Sequence, residues 1–249
     1  MGTVVSFFLR PGDADRAAVF LALAEARALL HRADAVFSTW KPESPMSRLR
    51  RSEIDLDAAP PEVGEVLERC REARERSGGW FDPWAMPGGV DPTGLVKGWA
   101  AGRALRLLVA AGVSGAMVGA GGDLAVSGQP EPGQSWRIGI QNPFDRGSVA
   151  AVAEPAAAIA TSGSYERGLH VIDPHTGAPA SAVASASVTG PDLDMADALA
   201  TGLVAGGLAA LAHVEACDGY EALLIGHDGV FHRTPGFPLV PLDGSPPPG

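Results

Sequence analysis

The chain has 249 residues, of which 46% are hydrophobic and 19% charged, and its formal net charge at pH 7 is −10. This length can bury a full core. The negative charge argues against nucleic acid as the main partner, because phosphate contacts need clustered Lys and Arg. The N-terminal sequence lacks the features of a signal peptide, and no apolar run reaches the length of a membrane span. We therefore expect a cytoplasmic protein with no membrane insertion.

The first half of the chain predicts a strand, three helices and a polar loop. Aromatic and β-branched residues favour strands, and Ala and Leu at helical spacing favour helices. On these patterns we expect a strand at residues 3–9, helices at 13–35 and 60–77, and a third helix from Thr93. Residues 37–50 predict a loop, because they include two prolines and several hydroxyl side chains.

The second half predicts a series of strands, one long helix and a closing hairpin. We expect strands at 116–120, 136–143, 148–154, 157–160 and 185–190, a helix at 195–213, and a hairpin that turns at Asp228-Gly229. Because strands and helices alternate irregularly, the pattern favours an α+β fold over a doubly wound parallel sheet. The Pro- and Gly-rich residues 235–249 predict a flexible tail, so we place the domain at 1–234.

One stretch in the second half concentrates the residues that can do chemistry. Thr161-Ser162-Gly163 predicts a polar turn whose backbone N–H groups face an anion. His170 lies in a short predicted strand, and residues 173–177 have turn chemistry. Asp197 and Thr201 are four residues apart on a predicted helix, so their oxygens project from one face. The residues alone thus offer an anion cradle, a titratable base and two hard oxygen ligands.

Each of these features also has an ordinary structural interpretation. Asp197 could be a charge at a helix start, favoured by the helix dipole. His170 could be a core histidine that is hydrogen-bonded to backbone. Lys97 and Trp99 could belong to a half-buried helix start, or to a lid over an aromatic ligand.

Short segments along most of the chain, from its start to about residue 210, carry a pattern in a fixed order. They are Phe37-Ser38, Ser47-Arg48-Leu49, Phe81-Asp82-Pro83, Lys97-Gly98, Gly121-Gly122-Asp123, Ala160-Thr161-Ser162-Gly163, Tyr165-Glu166-Arg167, His170 to Pro174 with Thr176-Gly177, and Asp197-Ala198-Leu199 with Thr201. Taken together they resemble the ApbE family, the FAD:protein FMN transferases. The chain departs from the family pattern at Arg50, where relatives usually have Asn.

The resemblance implies an enzyme that cuts FAD at its pyrophosphate, with Mg²⁺. It would place FMN on a Ser or Thr hydroxyl of a carrier protein and release AMP. It also implies an ApbE-like fold of two interleaved lobes with a cleft between them. The chemistry agrees with the residues, because phosphoryl transfer needs charge neutralisation and positioning, and Mg²⁺ prefers hard oxygen ligands.

The resemblance also assigns roles to individual residues. His170 would be the general base, and Asp197, Thr201 and the backbone carbonyl of Ala160 would bind the metal. The residues expected at the FAD cleft are Ser38, Asp82, Lys97, Gly121, Gly122, Asp123, Thr161, Ser162, Gly163, Asp173 and Thr176. By our own inference, the rings of Trp40 and Trp99 stack on the flavin or the adenine.

Two other functions remain open at the level of sequence. The same metal and phosphate site would serve an FAD pyrophosphatase, in which water replaces the carrier hydroxyl. A flavin-binding protein without chemistry is the other alternative, and Arg50 is the feature that favours it.

Overall fold

The computed structural model describes residues 3–163, 171–180 and 182–241. Within these ranges there are six α-helices and ten β-strands. The helices are α1 (Arg16–Phe37), α2 (Pro45–Arg50), α3 (Pro61–Arg76), α4 (Thr93–Ala110), α5 (Leu193–Gly206) and α6 (Leu208–Glu215). The strands are β1 (Val5–Arg10), β2 (Gly115–Ala120), β3 (Asp123–Gly128), β4 (Ile138–Asn142), β5 (Asp145–Ala153), β6 (Ala158–Gly163), β7 (Ser185–Gly190), β8 (Glu221–Ile225), β9 (Phe231–Arg233) and β10 (Leu239–Val240).

The strands form two antiparallel sheets. The larger sheet has seven strands in the order β1-β2-β3-β6-β7-β8-β9, and the smaller has three in the order β10-β5-β4. All pairings between neighbouring strands are antiparallel. This arrangement confirms the α+β fold class predicted from the sequence.

The seven-stranded sheet lies between the helices and the smaller sheet. Because successive side chains of a strand point to opposite faces, β6 contributes to both cores. Its Ala158 and Ala160 belong to the core that the sheet shares with the helices. Ile159 between them belongs to a second core, which includes Ile140 of β4 and Phe237. The two lobes expected from the resemblance are therefore layers of a single structure, namely the helices, the large sheet and the small sheet. Helices α4 and α5 pack on the large sheet.

Helices α4 and α5 cross at close range because glycine lies at the contact. A Cβ added to Gly98 would collide with the backbone of Leu193. A Cβ on Gly94 would lie 3.3 Å from the hydroxyl of Thr201. The absence of side chains at these two positions lets the two helices approach closely, and this approach positions the polar residues described below.

The structure differs from the sequence-based expectations in two helical regions. The helix expected at 195–213 is two helices, because Gly207 adopts φ +56° and ends α5. The loop expected at 37–50 contains the short helix α2, whose first turn is capped by the Ser44 hydroxyl.

The other differences concern a turn and the chain end. The polar turn expected at residues 161–163 continues strand β6, which pairs with β7 as far as Gly163. The tail expected from residue 235 is partly packed, because Phe237 is 4% exposed and β10 pairs with β5. The described part of the chain contains no helix with the length and apolarity needed to cross a membrane.

Candidate active site

A cavity of about 630 Å³ opens where α4, α5, the β2–β3 turn and the end of β6 meet. This volume is within the range of small-molecule and cofactor sites. Many of the residues singled out from the sequence line it. They are Ser38, Trp40, Asp82, Lys97, Gly121, Gly122, Ser162, Gly163, Asp197 and Thr201.

Lys97 lies between two buried carboxylates at one wall of the cavity. Its ammonium donates to Oδ2 of Asp123 and lies 3.3 Å from Oδ1 of Asp197. The other oxygen of Asp197 accepts the Gly98 amide at 3.4 Å. Both aspartates are 0% exposed, so one ammonium serves two carboxylates that have little access to water.

The electrostatics of this cluster favour an additional cation. Burial raises the pKa of Asp197 to about 8, and the nearby charge of Asp123 adds to the rise. Burial lowers the pKa of Lys97, but attraction to Asp197 and Asp123 outweighs this effect, so the pKa of Lys97 is raised. Because the raised pKa favours the protonated form of Asp197, a cation that binds to this carboxyl group would take the place of its proton.

Thr201 and Ser162 meet at the same wall. Their hydroxyl oxygens are 3.5 Å apart, and Thr201 follows Asp197 by one turn of α5. Ala160 is buried in β6 two residues before Ser162, on the same face of the strand. The sequence-based grouping of Asp197 and Thr201 on one helix face is therefore observed in the geometry.

The donor set suits Mg²⁺, which prefers carboxylate, hydroxyl and carbonyl oxygens. Asp197 and Thr201 would hold it, and Ala160 remains the predicted carbonyl ligand. Oδ1 of Asp123 is buried and has no hydrogen-bond partner among the described residues, so this oxygen is left unsatisfied in the cluster. No group of three or more His, Cys, Asp and Glu side chains that could hold a metal occurs within the described ranges. Hydroxyl and backbone oxygens would therefore have to complete the site.

The loop after α1 forms the mouth of the cavity. The Ser38 hydroxyl accepts the amides of Trp40 and Lys41, both at 3.3 Å. The Ser38 carbonyl accepts the hydroxyls of Ser44 and Ser47. These bonds fix the loop and leave Trp40 91% exposed at the cavity edge, where its ring is free to stack on a ligand.

Four of the residues expected at the FAD cleft do not line the cavity, and they are Asp123, Thr161, Asp173 and Thr176. Asp123 lies behind Lys97, as described. Asp173 closes its own turn, since its carboxylate accepts the amide of His175 at 2.9 Å and the hydroxyl of Thr176 at 2.8 Å. Thr161 faces the opposite side of the sheet from Ser162, and its hydroxyl is 2.8 Å from that of Ser187.

Trp99 lies away from the cavity. Its ring packs against Phe37 with centroids 5.6 Å apart, and its Nε1 donates to Glu65 at 3.1 Å. The guanidinium of Arg103 lies over the ring, 4.4 Å from its centroid. Trp99 lines a separate cavity of about 450 Å³ on the far side of α4. The structure therefore does not bring Trp99 to the ligand that we expected it to stack on.

His170, the predicted general base, lies outside the described residues. The sequence analysis did not single out other residues that do line the cavity, among them Thr3, Asp34, Met86 and Asp91. Asp91 has a local signal for a turn, because an aspartate side chain often accepts the amide two residues further on, as it does here from Thr93. Met86 and Thr3 have no such local signal, and only the tertiary fold places them there.

Arg50, the departure from the family pattern, does not line the cavity. Its guanidinium donates to Asp91 at 2.9 Å and to the carbonyls of Pro87 and Gly88 at 2.7 and 3.2 Å. Its positive charge is thus paired with the loop beside the cavity. The presence of Arg50 therefore no longer favours a flavin-binding protein without chemistry.

Comparisons with known proteins agree with this geometry. The sequence model of the ApbE family matches residues 1–89 and 86–224. An FAD:protein FMN transferase of Rhodobacter capsulatus is 38% identical over 156 residues, which is 59% of this chain and 30% of that protein. One of Salmonella typhimurium is 34% identical over 156 residues, covering 58% of this chain and 45% of that protein. The chain therefore spans less than half the length of these curated relatives.

Solved structures resemble the whole fold. The flavin transferase ApbE from Vibrio cholerae has a TM-score of 0.79 and 26% identity, with 94% of each chain covered. The ApbE protein from Thermotoga maritima has a TM-score of 0.78 and also covers 94% of each chain. At 22% identity, this second match shows the fold alone. The expected ApbE-like fold is confirmed.

Proposed function

The chain belongs to the ApbE family, and from that premise we propose that it is a Mg²⁺-dependent FAD:protein FMN transferase. The reaction cleaves the FAD pyrophosphate and joins FMN, through a phosphoester, to a Ser or Thr hydroxyl of a carrier protein. The bond from the acceptor oxygen to the FMN phosphorus forms, while the bond from that phosphorus to the bridging oxygen breaks. AMP leaves with the bridging oxygen.

One observation carries the proposal. Asp197 and Thr201 face a cavity of suitable size from one turn of α5, beside the end of β6. Lys97 and Asp123 lie directly behind them in a buried cluster. Asp197 offers a carboxylate oxygen and Thr201 a neutral hydroxyl oxygen, beside the buried ion pair of Lys97 and Asp123. A divalent cation bound to a pyrophosphate would require oxygen ligands of these kinds.

The residues of the chain perform separate tasks in this proposal. Lys97 holds the carboxyl group of Asp197 in place at the wall of the cavity. The amides and hydroxyl at the end of β6, at Ser162 and Gly163, would hold phosphate oxygens. His170 would take the proton of the acceptor hydroxyl, a role that suits a side chain with a pKa near neutrality. Mg²⁺, when bound, would neutralise charge on the phosphates.

The exposed ring of Trp40 would bind an aromatic part of FAD at the mouth of the cavity. The β2–β3 turn would bring backbone close to the ligand, because Gly121 adopts φ +69° and carries no side chain. These contacts hold the substrate in register, and positioning is the main contribution that a protein makes to phosphoryl transfer.

The test is to incubate the purified protein with FAD, Mg²⁺ and a candidate carrier. Flavin fluorescence on a denaturing gel reports covalent FMN, and chromatography reports AMP. We expect a fluorescent carrier band with the natural chain and none with Asp197→Asn. Release of FMN and AMP in equal amounts, with no flavin on any carrier, would instead identify an FAD pyrophosphatase. Recovery of intact FAD would overturn both activities.

A further inference from the structure

A glycine-containing loop forms one rim of the cavity, and Arg50 lies beneath it. The loop runs from Met86 to Asp91, and both of these residues line the cavity. The guanidinium of Arg50 reaches across from the end of α2 and uses three nitrogens. Nη1 donates to Oδ2 of Asp91, Nη2 to the carbonyl of Pro87 and Nε to the carbonyl of Gly88.

The rim packs closely against Arg50 through two glycines. Gly88 and Gly89 adopt φ values of +80° and +101°, which favour glycine. A Cβ on Gly88 would lie 3.1 Å from Nη2 of Arg50, and one on Gly89 would lie 3.3 Å from the Arg50 carbonyl. The loop therefore wraps closely around the arginine.

Few other hydrogen bonds hold the rim. Among the described residues, the Gly89 amide donates to Met86 at 3.2 Å and the Asp91 amide donates to Pro83 at 2.9 Å. Two glycines with few backbone bonds form a segment that is entropically costly to order. The three bonds from Arg50 outnumber these two backbone bonds.

Asp91 extends the effect of Arg50 to α4. Its Oδ2 accepts the guanidinium, while its Oδ1 accepts the Thr93 amide at 3.0 Å, in the first turn of the helix. One turn further along the same helix lies Lys97, which holds Asp197. The pair is largely shielded from water, since the side chains of Arg50 and Asp91 are 14% and 22% exposed.

From these contacts we propose that Arg50 is a positioning residue, which holds the Met86–Asp91 rim in the conformation that accepts FAD. The proposal rests on the proposed function for the identity of the ligand. Arg50 acts through the rim, because it does not line the cavity. When the rim is already ordered, ligand binding does not have to supply the ordering free energy, and affinity rises accordingly.

The test compares three variants in the full chain. Arg50→Gln removes the charge, and Arg50→Lys keeps a cation for Asp91 but loses the fork that reaches the two carbonyls. Arg51→Gln is the matched control, because Arg51 is the next residue and pairs with Glu53 and the Pro42 carbonyl, away from the rim. Two readouts are used. One is the Kd for FAD from flavin fluorescence, and the other is hydrogen exchange of the Gly89 and Asp91 amides.

We expect Arg50→Gln to raise the Kd and KM for FAD about tenfold, as for the loss of one or two hydrogen bonds. We expect kcat at saturating FAD to change less than about twofold, because the rim affects binding rather than the reacting atoms. Exchange of both amides should accelerate. Arg50→Lys should fall between Arg50→Gln and the natural chain, and Arg51→Gln should match the natural chain.

The outcomes separate this proposal from the proposed function. If the natural chain does not bind FAD, the proposed function fails, while the exchange measurement still tests whether Arg50 holds the rim. If Arg50→Gln leaves exchange of both amides unchanged, the rim does not depend on Arg50 and the inference is overturned. If exchange accelerates but the Kd for FAD stays the same, the positioning role is overturned.

Discussion

The ammonium of Lys97 lies 3.3 Å from Oδ1 of Asp197, inside the protein and at the wall of the main cavity. The same ammonium donates to Asp123. Lys97 of α4 therefore bridges a residue of strand β3 and Asp197 of α5, the expected metal ligand. Because Asp123 and Asp197 are both 0% exposed, solvent water cannot take the place of Lys97 as their hydrogen-bond donor. The cluster should therefore be sensitive to the loss of any one charge.

Lys97→Met should destabilise the metal-free protein by about 3–5 kcal/mol, because it leaves the buried carboxylate of Asp123 without its cation and the buried carboxyl group of Asp197 without a donor. Urea unfolding in the presence of a chelator measures the change. The matched control is Lys41→Met, whose ion pair with Asp34 is more exposed and which should cost less than about 1 kcal/mol. Equal losses in the two variants would contradict a special role for the buried pair.

Asp197→Asn should change how metal-free stability depends on pH. The pKa of Asp197 is raised in the folded chain to about 8, from an ordinary value of 3.8. Between these two values the unfolded chain has lost a proton that the folded chain retains, so the contribution of Asp197 to stability falls as pH rises. The limiting slope for one proton is about 1.4 kcal/mol per pH unit.

The Asn variant has no such proton to lose. Its free energy of unfolding, relative to that of the natural chain, should therefore rise as the pH increases from about 4 to about 8. Urea unfolding across this range in a chelator measures the difference. Parallel profiles for the two proteins would show that Asp197 does not retain its proton in the fold.

Thr201→Val should weaken Mg²⁺ binding without unfolding the chain, because valine keeps the shape of threonine and removes its oxygen. We expect about a tenfold loss of Mg²⁺ affinity, and a larger loss in Asp197→Asn, which removes a charge. Calorimetric titration of Mg²⁺ in the presence of FAD measures both. Thr189→Val, on a buried threonine of β7 that does not line the cavity, is the control. A Mg²⁺ titration of Thr201→Val that matched this control would refute the ligand role.

His170→Ala should keep FAD binding and lose FMN transfer. Removal of a general base typically lowers the rate by about 10²–10⁴-fold, while contacts to the flavin and phosphates remain. Fluorescence titration with FAD and gel analysis of the carrier measure the two properties separately. Transfer at the normal rate in this variant would show that another group accepts the proton.

Helix periodicity made part of this site predictable from sequence, and it also explains one difference. Asp197 and Thr201 share a face because they are four residues apart, which any α-helix would enforce. Lys97 and Trp99 are only two residues apart, so they cannot both face the same neighbour. In the structure Lys97 faces the cavity, and Trp99 lies on the other side of α4.

At residues 161–163 the sequence pattern led to a wrong prediction, because the expected turn is part of a strand. Consecutive small polar residues are typical of a turn, and only pairing with β7 shows that they continue a strand. Ser162 then faces the helices, while Thr161 bonds Ser187 on the far side. The contacts of Arg50 could not be predicted from the sequence either, because its partners are 37 to 41 residues further along the chain.

The most direct test of the central claim is the fate of FAD when the natural chain, Mg²⁺ and proteins encoded beside its gene are expressed and purified together. The proposed function predicts that one such protein carries flavin that survives denaturation. Replacing the acceptor Ser or Thr by Ala should abolish the label, and AMP should appear in equal amount to the attached FMN. If FAD binds but is recovered intact, with no AMP and no labelled protein, the chain is not an FMN transferase.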